Sequence, residues 1–147
     1  MCARFALRHA LLCLGVPSSE RAISRAMGRG RLRTRLFGSD EQAILRGVRG
    51  LGATPVELRA RTAAAARREI DRALRAGAPC IVCVTSAVGG GWGHWALVAG
   101  KIDGRYLWID SSDDRLFGTW TWTALARWMV CAGEEEPYYA IAVQPRT

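Results

Sequence analysis

Three residues suited to nucleophilic catalysis occur along the chain in the order cysteine, histidine, aspartate. Cys2 stands at the start of the first predicted helix, His94 opens one strand of a predicted hairpin, and Asp110 closes the next strand. A thiol hydrolase needs a sulfur nucleophile, a base that takes the thiol proton and a carboxylate that orients the base. The sequence therefore predicts a Cys-His-Asp site.

The position of Cys2 at a helix start favours this interpretation. Backbone N–H groups without helical partners, together with the helix dipole, stabilise a thiolate and supply donors for an oxyanion. Taken alone, Cys2 could be part of a frayed terminus, and His94 could be a hydrogen-bonded histidine at a strand end. The joint placement of the three residues favours a site.

The register of the hairpin decides whether His94 and Asp110 can meet. A two-residue turn at Asp103-Gly104 would place them on opposite faces of the hairpin. A three-residue loop over 102–104, with Gly104 left-handed, pairs Ala96 with Asp110 instead. His94 and Asp110 then become diagonal neighbours about 7 to 8 Å apart. We expect this bulged register, which also sets small side chains beside bulky ones: Ala96, Val98 and Gly100 beside Tyr106 and Trp108.

Other clusters of reactive side chains fit chemistry less well. His9 and Cys13 are an i, i+4 pair, but Cys13 lies in mid-helix without terminal amides that would stabilise a thiolate. Cys80 and Cys83 form a C-x-x-C, yet three positions apart in a strand they point to opposite faces. They cannot then bind one metal or form a redox pair, and core thiols are the simpler interpretation. Two histidines leave little to complete a zinc site, and residues 110–114 lack the glycine and distal glutamate of a calcium loop. We therefore expect no metal.

Helical patterns dominate the first half of the chain and strand patterns the second. Helices are predicted over 3–14, from Ser18 or Ser19 to Met27, from the capping box at Ser39 to about Arg49, and from Thr62 to Gly77. A short strand is expected at 55–59, further strands at 80–85, from His94, 106–110, 116–119 and 138–143, and a helix at 123–131. This order predicts one α+β domain over 1–147, with an N-terminal helical layer packed on a C-terminal antiparallel β-sheet.

Composition narrows the classes of function. The 147 residues carry a formal net charge of +8, mostly from arginine, and five cysteines in irregular spacing. An odd number of cysteines argues for a reducing, cytoplasmic location, and no apolar run approaches the ~20 residues of a membrane span. The Arg-rich residues 28–35 could bind phosphates or an acidic partner. They lack interleaved aromatic residues, so a solvated loop is the simpler interpretation.

Segments along nearly the whole chain carry a specific family resemblance. They are Cys2 with the helix ending at Leu14-Gly15-Val16, residues 39–52, Gly77-Ala78-Pro79-Cys80-Ile81-Val82, Gly93-His94-Trp95-Ala96-Leu97-Val98, Trp108-Ile109-Asp110, residues 124–128 and 139–143. The chain resembles the papain-like double-glycine peptidases, which include the bacteriocin-processing domains of peptide exporters and stand-alone relatives.

The resemblance implies roles for individual residues. Cys2 would be the nucleophile, His94 the base and Asp110 the orienting acid, with no cofactor. Trp92, Gly93 and Trp95 would border the substrate cleft, although burial in the core is the default for Trp95. A peptide with a Gly-Gly type site, and a separate peptide exporter as partner, are implied only in this way.

The chain departs from the family pattern beside Cys2. The family usually has a glutamine a few residues before the cysteine, and a Gly-Pro-Ala type of turn after it. Here only Met1 precedes Cys2, and Ala3-Arg4-Phe5 follow. One lost oxyanion donor costs about 3 to 4 kcal/mol of transition-state stabilisation. We expect either that removal of Met1 gives Cys2 a free α-amine, with a reference pKa of about 8, or that the native chain begins earlier.

Three classes of function remain open from the sequence. The first is a cysteine peptidase or amide hydrolase acting through an acyl-enzyme, with acyl transfer to an amine as a variant. The second is a catalytically inactive papain-like module that binds a peptide or protein partner. The third is an Arg-rich nucleic-acid-binding module, for which steep salt dependence of polynucleotide binding would be the mark.

Overall fold

The computed structural model describes residues 2–28, 41–85, 93–111, 117–129 and 135–147. The predictions for the Arg-rich loop, the Ser39 capping box, Trp92, Leu116 and Cys131 fall outside these ranges. The elements, in chain order, are α1 (Cys2–Cys13), α2 (Glu20–Ala26), α3 (Glu41–Gly50), β1 (Ala53–Ala60), α4 (Ala63–Arg75), β2 (Cys80–Thr85), β3 (Gly93–Ile102), β4 (Arg105–Ile109), β5 (Phe117–Trp120), α5 (Trp122–Met129) and β6 (Tyr138–Pro145).

A six-stranded antiparallel sheet forms the centre of the fold, with strand order β1-β6-β2-β3-β4-β5. The short predicted strand at 55–59 is the middle of β1, an edge strand that pairs along its whole length with β6. The α+β class is confirmed. None of the helices in the described part of the chain is long and apolar enough to cross a membrane.

Helices cover both faces of this sheet: the expected N-terminal layer of α1, α2 and α3 lies on one face, and α4 and α5, which were not assigned to a face, lie on the other. Ile81, Leu97 and Ile141 belong to the buried cluster beneath α1, α2 and α3. The alternate residues of the same strands, such as Val82 and Val98, belong to a second cluster beneath α4 and α5. Strands β2 and β3 are apolar on both faces, so each face needs its own cover.

Local signals in the sequence set the ends of two helices as predicted. The hydroxyl of Ser19 accepts a hydrogen bond from the backbone N–H of Ala22 at 3.1 Å, and that of Thr62 accepts one from Ala65 at 3.2 Å. Each satisfies a helix N–H that would otherwise lack a partner. Gly77, with φ +77°, takes the left-handed conformation just beyond the end of α4.

Close packing of α1 between the sheet and α3 fixes the place of Cys2. One side of α1 is fully buried and includes Ala3, Leu7 and Leu11. Gly47 of α3 faces this side, and a Cβ added there would lie 2.6 Å from Leu7 Cδ2. A glycine is therefore needed for α3 to approach α1 this closely.

The β3–β4 hairpin turns with two residues, so the predicted three-residue loop is wrong. Ile102 pairs with Arg105, and Asp103 and Gly104 both have positive φ, at 50° and 75°. Two consecutive left-handed residues are typical of the type I′ turn, which Asp-Gly adopts readily and which matches the twist of the strands. The turn therefore needs no third residue.

The extra residue lies inside β3 instead, where the register shifts between Val98 and Gly100. Beyond this bulge Val98 pairs with Trp108 and Leu97 with Ile109, and the same register continued by one residue sets Asp110 opposite Ala96. The register expected at this end of the hairpin is thus present, although its cause differs. Nearer the turn the expectation fails, because Gly100 pairs with Leu107 rather than with Tyr106.

Candidate active site

Cys2 lies at the first position of α1, at the end of the helix that packs against β3. Its side chain is partly buried and packs against the cluster under α1 to α3. The sulfur lies within hydrogen-bonding reach of the His94 side chain and of the Trp95 backbone N–H. Helix α1 and strand β3 thus bring the Cys2 thiol and the His94 side chain together.

His94 and Asp110 are joined by a short hydrogen bond. The distance from His94 Nε2 to Asp110 Oδ1 is 2.6 Å, and the Asp110 residue is only 7% exposed. Because a carboxylate accepts, Nε2 carries the proton, which leaves Nδ1 as the ring nitrogen for the hydrogen bond with Cys2. The bulge in β3 makes this pairing possible, since it puts both residues on one face.

The electrostatics of the three groups favour a charged pair. Hydrogen bonds to Asp110 and to Cys2 raise the pKa of His94 to about 9, against the opposing effect of burial. Burial by itself would raise the pKa of the Cys2 thiol. The hydrogen bonds from His94 and from the Trp95 N–H, with the charge of His94, outweigh burial and lower that pKa below its usual value. Each group therefore favours the charged form of the other, the thiolate of Cys2 and the imidazolium of His94.

Two of the predicted substrate-binding residues, Gly93 and Trp95, lie in the described part of the chain at the start of β3. Gly93 opens β3 opposite Thr85. Trp95 is 7% exposed, and its indole packs edge-on against the Tyr139 ring, with ring centroids 6.0 Å apart. What Trp95 brings to the site is its backbone N–H, a donor that sequence reasoning missed and that the adjacency of Trp95 to His94 could have indicated. Substrate contact by Trp92, Gly93 or the Trp95 indole stays a prediction.

The competing thiols lie in other surroundings. Cys13 is exposed, and the pKa of its thiol is raised by desolvation. His9 donates instead from Nδ1 to the Phe5 carbonyl at 2.9 Å. Cys80 is fully buried, which raises its pKa to about 12, and it belongs to the core cluster on the opposite face of the sheet from Cys83. The expected opposite orientation of these two cysteines is confirmed.

Acid, thiol and imidazole groups elsewhere do not gather into a metal site among the residues that the structure describes. In those ranges no three of the histidine, cysteine, aspartate and glutamate side chains lie together in a way that could hold a metal ion.

Comparison with known proteins identifies the fold. The peptidase domain of Streptococcus ComA, a bifunctional ABC transporter involved in quorum sensing, superposes with a TM-score of 0.69 at 16% identity, covering 99% of this chain and 91% of that domain. The chain has the fold of a double-glycine peptidase domain. No family model matches the sequence, and no curated protein matches it.

Two further solved structures share this fold. One is a double-glycine motif protease from an AMS/PCAT transporter in complex with its leader peptide, with a TM-score of 0.65, 14% identity, and coverage of 98% of this chain and 84% of that one. The other, from Bacillus anthracis, is described as a C39-like peptidase. It has a TM-score of 0.69, 12% identity, and coverage of 99% and 89%.

Proposed function

We propose that the chain is a cysteine peptidase, or a related amide hydrolase, that works through a thioester on Cys2. The observation that carries the proposal is the continuous chain of hydrogen bonds from Asp110 through His94 to Cys2. A buried carboxylate, an imidazole and a partly buried thiol at a helix start are the three parts that acyl transfer to sulfur requires.

In the proposed acylation step, the Cys2 thiolate attacks the carbonyl carbon of the scissile amide. The developing oxyanion is stabilised by the first backbone N–H groups of α1, which have no carbonyl partner within the helix. Imidazolium His94 gives its Nδ1 proton to the leaving nitrogen as the C–N bond breaks. Asp110 holds the ring in place and keeps the imidazolium favourable until that transfer.

In the proposed deacylation step, neutral His94 takes a proton from a water molecule as the water oxygen attacks the thioester carbon. The C–S bond then breaks, the carboxylic acid product leaves, and the thiolate–imidazolium pair is restored. An amine in place of water would give transfer instead of hydrolysis by the same steps.

We propose a peptide as substrate, with a Gly-Gly type of sequence on the acyl side of the cleaved bond. One of the solved structures with this fold is a double-glycine motif protease in complex with its leader peptide. The same proposal includes a separate peptide exporter as partner, a single domain spanning the chain, and a reducing cytoplasmic location. The four cysteines in the described residues are free thiols, as such a location would keep them.

Peptide cleavage tests the proposal directly. Synthetic peptides with Gly-Gly, Ala-Ala or Leu-Leu before a reporter amide are incubated with the wild-type chain and with the variants Cys2→Ala and His94→Ala, and Cys13→Ala is the matched control. We expect cleavage by the wild-type and Cys13→Ala proteins only, fastest after Gly-Gly. Equal cleavage by Cys2→Ala would contradict the proposal, and peptide binding without cleavage would indicate an inactive binding module.

A further inference from the structure

A row of side chains crosses four strands behind the candidate site. Arg59 of β1 pairs with Tyr139 of β6, and Cys83 of β2 pairs with Trp95 of β3. The β2–β6 register ends at Val82 opposite Ala140, and one further residue would set Cys83 opposite Tyr139. Tyr139, Cys83 and Trp95 all belong to the face of the sheet that α1 covers.

The outer end of this row holds the Tyr139 ring from several sides. The Arg59 guanidinium lies over the ring, 4.4 Å from its centroid, and the Tyr139 hydroxyl donates to Glu57 at 2.8 Å. Arg59 also pairs with Glu57 at 3.2 Å and with Glu41, in the first turn of α3, at 3.6 Å. The orientation of the ring is thus fixed by a stacked cation and a hydroxyl bond to a carboxylate.

The inner end of the row brings this ring against Trp95. Their centroids are 6.0 Å apart at an interplanar angle of 73°, the edge-to-face geometry that aromatic pairs prefer. Strands two apart in a sheet are separated by roughly 9.6 Å, so the rings must lean toward each other over the strand between them. The small Cys83 side chain on that strand leaves room for this contact.

Trp95 connects the row to the reacting groups through its backbone. The Trp95 backbone N–H donates a hydrogen bond to the Cys2 sulfur, and Trp95 directly follows His94 in the chain. Because the buried indole is held against Tyr139, the peptide unit between His94 and Trp95 is fixed in place. We infer that Tyr139 is a positioning residue for the Cys2–His94 pair, acting through the Trp95 ring and its backbone N–H.

The catalytic meaning of this inference rests on the proposed function, but thiol chemistry tests it without a substrate. Alkylation of Cys2 by iodoacetamide is followed by mass spectrometry as a function of pH, with exposed Cys13 as the internal reference in the same molecule. For Tyr139→Leu we expect the midpoint of the pH profile of Cys2 alkylation to rise by about one pH unit, so that alkylation below both midpoints becomes about tenfold slower. Tyr139→Phe keeps the ring, so its midpoint should rise less, and alkylation at the same pH should slow by only about twofold to threefold.

Tyr106→Leu is the matched control for a buried tyrosine. Tyr106 is also fully buried and also donates to a carboxylate, Asp71, at 2.6 Å, but it belongs to the cluster on the other face of the sheet. Its loss should leave the Cys2 midpoint unchanged. An unshifted midpoint in folded Tyr139→Leu, or an equal shift in Tyr106→Leu, would overturn the inference.

Two further outcomes have a defined interpretation. If Tyr139→Leu does not fold, an unshifted midpoint in Tyr139→Phe overturns the inference by itself. If Cys2 reactivity follows Tyr139 as expected but no peptide is cleaved by the wild-type chain, the positioning role stands and the proposed peptidase function fails.

Discussion

Replacing Asp110 by asparagine isolates the charge in the candidate site. The carboxylate of Asp110 is the largest cause of the high pKa of His94, and it acts through a 2.6 Å hydrogen bond. Asparagine has nearly the same shape and can still accept from Nε2 through its side-chain oxygen. The variant Asp110→Asn should therefore keep the fold and the orientation of the ring while it removes the negative charge.

The expected change follows from two pKa values. At pH 7.5 a His94 pKa of about 9 keeps nearly all of the imidazole protonated. If the whole increase were lost, the pKa would return to about 6.5, and about one tenth of the ring would be protonated at that pH. At pH 6 about three quarters would still be protonated. The protonated fraction of His94 in the variant should therefore be close to that of the wild-type chain at pH 6 and up to about tenfold smaller at pH 7.5.

Nuclear magnetic resonance of the imidazole ring measures this change directly. The chain has two histidines, and the signals of His94 are assigned by the loss of the other set in a His9→Gln variant. We expect the titration midpoint of His94 to lie near 9 in the wild-type chain and to move toward 6.5 in Asp110→Asn. The rate of Cys2 alkylation at pH 7.5 should fall in parallel, because the thiolate loses its charged partner.

The matched control removes a carboxylate that does not touch the site. Asp71 accepts hydrogen bonds from Tyr106 at 2.6 Å and from Lys101 at 3.2 Å, so Asp71→Asn also changes the net charge by one. Its His94 midpoint should stay near that of the wild-type chain. A midpoint unchanged in Asp110→Asn, or moved equally in both variants, would refute the electrostatic reasoning.

Three further predictions concern helix packing, a helix cap and the exposed thiol of Cys13. Gly47→Ala should lower the free energy of unfolding by about 1 to 3 kcal/mol, because the new Cβ would meet Leu7 and Met27 at 2.6 and 2.7 Å; unchanged denaturant unfolding would show that the helices can separate. Thr62→Ala should lower it by about 1 kcal/mol through loss of the helix cap, with Cys2 alkylation unaffected. Cys13→Ser should leave peptide cleavage at the wild-type rate, and a large loss would move the nucleophile to Cys13.

Periodicity and capping signals predicted most of the elements, because these signals are local. The helix caps at Ser19 and Thr62 depend on residues three positions apart, and both are present. The alternation of β2 predicted that Cys80 and Cys83 point to opposite faces. The placement of α4 and α5 on the second face was not predicted, since it depends on which strands pair across the sheet.

The hairpin shows how the expected register can be present although the local detail that was expected to cause it is wrong. The chemistry of Cys2, His94 and Asp110 required one particular register, and that register is present at the site. The extra residue was assigned to the turn, where Gly104 is an obvious left-handed position. The structure has it inside β3 before Gly100, because the Asp-Gly pair already closes a two-residue turn. A bulge within a strand leaves only a weak sequence signal.

The most direct test of Cys2 as the nucleophile is to identify the residue that becomes acylated. The chain is mixed with the p-nitrophenyl ester of N-acetyl-Gly-Gly, quenched in acid, and mapped by mass spectrometry of its fragments. We predict one acyl group on Cys2, formed much faster than on exposed Cys13 and released by hydroxylamine as a thioester would be. We also predict that His94→Ala slows this acylation. Acylation of Cys2 and Cys13 at equal rates, or acyl groups only on another residue, would contradict the proposed role of Cys2.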